Sequence, residues 1–301
     1  MSTKKLGTAL AILAAALYAL NAPFSKFLLQ HSGPTMMAAF LYLGAGVGLF
    51  VYGLAGKALG HDPVRAPLTR KELPYTIAMI VLDIAAPILL MMGLTRTAAA
   101  NASLLNNFEI VATSLIALLI FKEHISRRLW MAIGLVTLAS MILGFQGAGS
   151  LSFDIGSLFV LGACLCWGFE NNCTRMLSSK SSVQITVIKG CFSGLGSLLV
   201  ARLTGESFPA LQWVLCILAL GFVAYGLSIN FYIMAQSHLG AAKTSAFYSI
   251  APFLGVAFSM VLGERPGAGF YLGLLVMVAA TWLMVRDTLD IFGTDGETSA
   301  E

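Results

Sequence analysis

The feature that most constrains the fold is a series of apolar runs, each about 20 residues long, that fills most of the chain. A run of this length is typical of a helix that crosses a lipid bilayer, because it spans roughly 30 Å of hydrocarbon. The connections between the runs are short, and none has room for a separate soluble domain. We therefore predict an all-α polytopic membrane protein with ten transmembrane helices, at residues 6–29, 36–56, 73–93, 100–121, 129–147, 156–177, 183–203, 210–236, 239–262 and 270–287.

The composition agrees with a chain whose main partner is the lipid bilayer. Apolar residues make up 58% of the 301 residues and charged residues 11%, and the mean hydropathy is +0.85. A soluble domain has about 25% charged residues, so this chain lacks the polar surface to cover a globule in water. The basic residues are scattered between the apolar runs, which argues against a nucleic-acid partner.

The distribution of basic residues predicts the orientation. Ten spans place both termini on one side of the membrane, and positive residues accumulate on the cytoplasmic side. Three basic residues (Arg96, Arg202 and Arg265) fall clearly on the opposite side. Twelve basic residues fall on the side of the termini: Lys4, Lys5, Lys57, Arg65, Arg70, Lys71, Lys122, Arg127, Arg128, Arg175, Lys180 and Arg286. Both termini are therefore expected in the cytoplasm, with the chain in the plasma (inner) membrane.

Three pairs of segments indicate an internal repeat. A shift of 149 residues places LYALNAPFSKFLL (17–29) over CWGFENNCTRMLS (166–178), so that Tyr18 matches Trp167 and Asn21 matches Glu170. The second and seventh spans both carry GxxxG spacings, which favour close helix packing. A shift of 141 residues pairs the fourth span with the ninth, and a glutamate (Glu123 or Glu264) closes each segment.

The repeat has five helices per copy, so the second copy must insert upside down relative to the first. This inverted arrangement is typical of secondary transporters, whose substrate sites lie near the bilayer midplane between the copies. The predicted organisation is a first five-helix repeat over residues 1–150, a second over 151–288 and a disordered cytoplasmic tail over 289–301.

The same segments resemble a known family. The aromatic, small and polar residues of spans one and six, and the small-residue lead that ends in glutamate after spans four and nine, resemble the EamA-type exporters of the drug/metabolite transporter superfamily. The resemblance covers roughly residues 7–287. In that family spans four and nine usually carry a proline in mid-helix; Pro252 matches this pattern, whereas the equivalent position in the first half is Val111. The resemblance implies export of amino acids or metabolites, closest in character to the aromatic amino acid exporter branch.

Polar side chains inside the spans are the candidate site. An ionisable group near the bilayer centre costs at least about 2.5–3.5 kcal/mol, so it faces protein or water and indicates function. Helical spacing places several polar and aromatic residues on shared faces, where aromatic walls and polar anchors suit a zwitterion with an apolar body. The predicted substrate-binding residues are Tyr18, Asn21, Asp83, Asn106, Glu109, Trp167, Glu170, Asn171, Tyr225, Ser228, Tyr232 and Tyr248.

Each carboxylate also has a structural interpretation. Glu170 is placed either to bind substrate or a proton, or to pair with Lys189 as a structural bridge. Glu109 is placed to contact substrate or to pair with Lys26 or Arg96. Asp83 lies nearest a helix centre and has no acidic equivalent in span eight, which favours a functional role over local packing.

The predicted function is a secondary transporter that exports amino acids or similar small amphipathic metabolites by alternating access, with proton coupling as one option. The alternatives are an exporter of cationic drugs and a passive facilitator. No HExxH, GxSxG or GxxxxGK[ST] motif occurs, and the five cysteines lie in apolar stretches without a CxxC pair. We therefore expect no enzyme activity, no cofactor and no metal site. The protein is expected to be a monomer or a homodimer.

Overall fold

The computed structural model describes residues 3–58, 68–122, 126–144, 154–177, 180–239, 244 and 247–293. These residues are almost entirely helical and include no strand, which confirms the all-α fold class for this part of the chain. The helices are α1 (Thr3–Ala19), α2 (Asn21–Leu28), α3 (Pro34–Ala58), α4 (Leu73–Leu94), α5 (Ala99–Leu105), α6 (Phe108–Phe121), α7 (Arg127–Gly144), α8 (Ile155–Leu177), α9 (Ser182–Leu203), α10 (Leu211–Gly221), α11 (Ser228–Leu239), α12 (Ala251–Val261) and α13 (Ala268–Gly293).

Helix is present in all ten of the predicted ranges. Within the part of the chain that the structure describes, six helical segments qualify on their own as membrane spans by length and apolar composition: Lys5–Leu28, Pro34–Gly56, Arg70–Leu94, Ala99–Ile120, Val183–Leu203 and Leu211–Tyr232. Two shorter apolar helices, Ala251–Val261 and Ala268–Leu283, occupy the last two predicted ranges. The chain is therefore a membrane-embedded helical protein.

Four of the spans are not continuous α-helices; in the ninth, a turn at Ser249 and Ile250 precedes α12. The first is divided into α1 and α2 at Leu20, just before Pro23, whose missing N–H removes a helical hydrogen bond. The fourth is divided into α5 and α6 at Asn106 and Asn107, and the backbone N–H groups of Asn107, Glu109 and Ile110 bond to carbonyls three residues earlier. The eighth contains a π-helical segment, Phe222–Leu227, between α10 and α11. Such interruptions occur within membranes where protein or water satisfies the freed backbone groups.

The last helix extends further than the sequence predicted. α13 continues to Gly293, so residues 289–293, which were expected to belong to a disordered tail, are helical. The reason is that Leu289, Ile291 and Phe292 continue the apolar composition, and Gly293 is the first residue suited to end a helix. Residues 294–301 lie outside the described residues.

The helices pack in a defined set of pairs. α3 lies along α9, α4 along α8, α1 along α11 and α7 along α13, while α6 also contacts α8 and α5 contacts α12. Glycines permit the α3–α9 crossing: a Cβ added to Gly46 would lie 2.5 Å from the Cys191 backbone nitrogen. The glycines of the GxxxG spacings serve helix packing as well, because an added Cβ at Gly190 would clash with the Gly46 backbone and one at Gly44 with the Leu218 carbonyl.

Carboxylates close the helix ends on one side of the bundle. Both oxygens of Glu264 accept hydrogen bonds from the backbone N–H groups of Ala99 and Ala100, at 2.8 and 2.9 Å, at the start of α5. Glu206 accepts two equivalent bonds at the start of α3, at 3.1 and 2.7 Å. These oxygens satisfy backbone donors that a helix N-terminus leaves free. Glu123, the counterpart of Glu264 in the first half, lies outside the described residues.

Candidate functional site

Three charged side chains from three helices meet inside the bundle, and we call them the charged triad. Lys189 on α9 places its Nζ 3.1 Å from Asp83 Oδ2 on α4 and 3.0 Å from Glu170 Oε2 on α8. Asp83 is fully buried and Glu170 is 1% exposed. Buried charges are stable only when paired. With all three groups ionised the triad holds two negative charges and one positive charge, a net charge of −1.

Hydrogen bonds from neighbouring side chains fix both carboxylates of the triad. The Tyr42 hydroxyl on α3 donates to Asp83 Oδ1 at 3.0 Å, and the Trp167 indole N–H donates to the Tyr42 oxygen at 3.4 Å. Thr174, one turn after Glu170 on α8, donates its hydroxyl proton to Glu170 Oε1. The carboxylates are therefore held in place by α3 and α8 as well as by Lys189.

Tyr42 is the residue of this site that sequence reasoning missed. It is 3% exposed and joins the charged triad to the aromatic side chains of the bundle, with its ring centroid 5.4 Å from that of Tyr225. A signal was present in the sequence, because Tyr42 lies eight residues after the start of α3 and therefore away from the interfacial belt where tyrosines are common.

A cluster of tyrosines lies beside the triad. The Tyr18 ring packs edge-on against the Tyr225 ring, with 5.9 Å between the ring centroids. Its centroid also lies 5.8 Å from that of the Tyr248 ring. Tyr232 packs edge-on against Tyr248 at 4.9 Å. These rings come from α1, the π-helical segment, α11 and the chain just before α12, so the cluster connects helices from both halves of the sequence. Such edge contacts between aromatic rings are favourable.

Neutral polar groups also contact the tyrosine cluster. Asn21 Nδ2 donates to the Tyr225 hydroxyl at 2.9 Å, and Ser25 donates to Asn21 Oδ1 at 3.0 Å. Ser228 donates to the Ala14 carbonyl at 2.8 Å, and its oxygen lies 3.4 Å from the Tyr248 hydroxyl. These contacts are made by amides and hydroxyls, whereas the contacts within the triad are made by charged groups.

Glu109 forms a second contact group, separate from the triad. Asn171 Nδ2 on α8 donates to Glu109 Oε1 at 2.6 Å and to Thr113 Oγ1 at 3.2 Å, both on α6. The alternative that Glu109 pairs with Lys26 or Arg96 is wrong. Lys26 Nζ instead donates to the Leu94 and Thr97 carbonyls, and the Arg96 guanidinium donates to the Met92 carbonyl and stacks on Phe159.

The neighbouring amide of α8 has a structural role. Asn172 Nδ2 donates to the Gly168 carbonyl at 2.8 Å and to the Thr113 carbonyl at 3.2 Å. It is 4% exposed and joins α8 to α6. The three consecutive polar residues of α8 therefore differ: Glu170 faces the triad, Asn171 faces Glu109, and Asn172 satisfies backbone carbonyls.

Asn106 lies at the break between α5 and α6. It borders a small cavity of about 10 Å³ together with Tyr18, Asn21 and Ser103. Its Oδ1 atom has no hydrogen-bond partner among the described residues. Asn106 thus lies near the tyrosine cluster and makes no hydrogen bond to the triad within the described residues.

Most of the predicted site residues belong to one contact group. Through Tyr42 and Lys189 the structure brings together nine of the twelve, while Glu109 and Asn171 form the second group and Asn106 borders the cavity. The pairing of Glu170 with Lys189, expected for a structural bridge, is present and extends to Asp83. The nine are Tyr18, Asn21, Asp83, Trp167, Glu170, Tyr225, Ser228, Tyr232 and Tyr248.

Comparison with known proteins gives a consistent result. The model of the EamA-like transporter family matches residues 5–145 and 154–286. The chain is similar to an uncharacterized transporter of Methanothermobacter thermautotrophicus, at 24% identity over 85% of this chain and 78% of the relative. It is also similar to the uncharacterized transporter YyaM of Bacillus subtilis, at 21% identity over 79% of this chain and 80% of the relative.

A crystal structure of a protein shares the fold. The alignment has a TM-score of 0.67 and covers 94% of this chain and 96% of that one, at 16% sequence identity. At this identity the likeness concerns the fold alone.

Proposed function

Because this chain belongs to the EamA-like transporter family, we propose that it exports amino acids or similarly small amphipathic metabolites from the cytoplasm. Family membership makes it a membrane-embedded transporter of small molecules and not an enzyme. Export, the substrate class and alternating access are our proposal, and the site is the charged triad with its neighbouring tyrosine cluster.

The observation that carries the proposal is the charged triad buried beside aromatic rings. Its surplus negative charge suits an ammonium group, Lys189 suits a carboxylate, and the rings of Tyr18, Tyr225 and Tyr248 suit an apolar or aromatic body. A zwitterionic amino acid presents these three features together.

The pairing of helices supports the inverted repeat on which alternating access depends. If the first five spans correspond in order to the last five, then the α4–α8 contact corresponds to the α1–α11 contact. The α6–α8 contact likewise corresponds to α1–α12, and the α3–α9, α5–α12 and α7–α13 contacts each correspond to themselves. This pairing of contacts supports a two-fold relation between the halves, which a rocking motion of one half against the other would use.

The net charge of the triad supports proton coupling. A buried surplus of one negative charge is costly, and binding either a proton or a cationic substrate group neutralises it. Substrate and proton would then compete for Asp83 and Glu170, which is the basis of exchange between an outgoing substrate and an incoming proton.

Transport in proteoliposomes tests the proposal. The full chain is reconstituted, and counterflow of labelled phenylalanine, tryptophan, methionine and threonine is measured with and without a pH gradient. We expect saturable counterflow that a pH gradient accelerates, and loss of the acceleration in Glu170→Gln and Asp83→Asn. Glu72→Gln is the matched control, because Glu72 pairs with Lys180 at the end of the bundle, away from the triad.

Two results would contradict the proposal. Counterflow of cationic drugs without competition by any amino acid would favour the drug exporter, and flux that neither saturates nor shows counterflow would favour a passive facilitator. The direction depends on both termini being cytoplasmic, which reporter fusions at the C-terminus test. A reporter active only on the outside would reverse the predicted orientation.

A further inference from the structure

A small cavity lies where three interrupted helical segments meet. It is bordered by Tyr18, Ala19 and Asn21 at the α1–α2 break, by Ser103 and Asn106 at the α5–α6 break, and by the start of α12. Its volume is about 10 Å³, which is about what one water-sized species requires. The cavity is too small for an organic substrate.

Two side-chain oxygens at this cavity have no partner. Ser103 Oγ and Asn106 Oδ1 make no hydrogen bond within the described part of the chain, and Ser103 is 3% exposed. An unsatisfied buried polar atom costs about 1–3 kcal/mol, so an unpaired oxygen at a cavity points to an occupant.

A backbone oxygen faces the same place. Pro23 has no N–H, so the Ala19 carbonyl four residues earlier lacks its usual helical donor. A Cβ added to Gly255 on α12 would lie 2.7 Å from Ser103 Oγ and 3.4 Å from the Ala19 carbonyl oxygen. The missing side chain of Gly255 therefore leaves open the space that these two oxygens border.

We propose that this cavity binds a sodium ion. Hard cations prefer oxygen ligands, and in transporters the freed carbonyls of broken helices coordinate Na⁺. The cavity offers a hydroxyl, an amide oxygen and a carbonyl, whereas the Asn21 Nδ2 donor is directed to Tyr225. A water molecule would have to accept the Ser103 hydroxyl proton and donate to the other two oxygens, whereas a cation contacts all three oxygens as ligands; the salt dependence measured below separates the two occupants.

A bound ion would stabilise the arrangement of the bundle described above. A bound Na⁺ joins α1, α5 and α12 through ligands on the first two and the space left by Gly255 on the third. Because the ion binds the folded protein and not the unfolded chain, it raises stability by an amount that depends on its concentration. The inference is independent of the proposed amino acid substrate, since it concerns ion binding without transport.

Thermal unfolding of the purified full chain in detergent tests it. NaCl is titrated against choline chloride at constant ionic strength, with LiCl and KCl as further series. We expect a saturable rise in the melting temperature with NaCl and little rise with KCl or choline chloride. Equal melting temperatures in all four salts would overturn the proposal and leave the cavity with water alone.

Substitutions at the cavity test whether the Na⁺-dependent stabilisation arises there. Loss of even an indirect partner weakens a metal site by about 10–100-fold, so Ser103→Ala should weaken Na⁺ binding at least about tenfold, and Gly255→Ala should abolish it by filling the cavity. Ser140→Ala is the matched control, because Ser140 Oγ on α7 is also buried and unpartnered among the described residues but does not border the cavity.

Two further measurements complete the test: the Na⁺ affinity of a variant that should bind the ion more tightly, and direct binding of radioactive sodium. Asn106→Asp adds a negative charge at the cavity and should strengthen Na⁺ binding by about tenfold or more. Equilibrium binding of ²²Na⁺ should give one site per chain in the natural sequence and in Ser140→Ala. A Na⁺ response that Ser103→Ala and Gly255→Ala leave unchanged would show that the ion binds elsewhere and would refute the assignment.

Discussion

Replacement of Lys189 by methionine tests how the charged triad is stabilised. Lys189 is the cation that contacts both Asp83 and Glu170, at 3.1 and 3.0 Å, and both carboxylates are almost completely buried. Lys189→Met changes the net charge of the triad from −1 to −2. Asp83→Asn changes it from −1 to 0 and leaves an oxygen that still accepts the hydrogen bond from Tyr42.

The expected magnitudes differ because the remaining charges differ. Removal of one partner of a buried ion pair costs about 3–5 kcal/mol, since the other charge is left uncompensated. We expect this loss of unfolding free energy for Lys189→Met. Asp83→Asn leaves Glu170 and Lys189 as a neutral pair and should cost less than about 1 kcal/mol. The double variant should lose less than Lys189→Met alone, because one of the two uncompensated charges is gone.

The assay is reversible unfolding of the purified protein in detergent micelles at pH 7, with the natural chain, both single variants and the double variant measured side by side. Lys189→Met as stable as the natural chain at pH 7, or a penalty for Asp83→Asn as large as that for Lys189→Met, would refute the reasoning.

Three further substitutions have expected outcomes in the same unfolding assay. Gly46→Ala should lower stability by about 1–3 kcal/mol through overpacking against α9. Gly134→Ala is its control and should raise stability by about 0.5–1 kcal/mol, because an added Cβ there meets nothing within 4 Å. Equal effects of the two substitutions would exclude a close helix crossing at Gly46. Glu264→Ala should cost about 0.5–2 kcal/mol by leaving two N–H groups of α5 free, and Glu264→Gln should cost less. Tyr225→Phe should cost about 1–3 kcal/mol because Asn21 Nδ2 loses its buried acceptor; an unchanged midpoint would show that water replaces the hydroxyl.

The sequence predicted the helical ranges well because a long apolar run identifies a membrane-spanning helix without any information on the helices that pack against it. The breaks were harder to predict. Pro23 marks the division of the first span by its missing N–H, but Asn106 and Asn107 have no comparable covalent constraint. The π-helical segment at Phe222–Leu227 left no signal in the apolar pattern, because its residues have the same composition as their neighbours.

The candidate site was predicted as a set of residues and not as a set of contacts. The cost of a charge in the membrane identified Asp83, Glu109 and Glu170, since that cost depends on residue type and position alone. Which cation or amide each contacts depends on how α4, α6, α8 and α9 pack, and hydropathy contains no information on that packing. Lys189 was thus expected beside Glu170, but its second contact with Asp83 was not.

The π-helical segment has a consequence for the evolution of the eighth span. A π-helical turn holds about one residue more than an α-helical turn, and such turns often occur at functional sites. Deletion of one residue from Phe222–Leu227 would let the segment relax to a regular α-helix, and because the lost residue is the extra one of the π-helical turn, the residues after it would keep nearly the same orientation about the helix axis. Ser228 and Tyr232 would therefore still face the tyrosine cluster. The same deletion within α10 or α11 would turn the following residues by roughly 100°, so single-residue deletions should be tolerated better in this short segment than in the regular helices beside it.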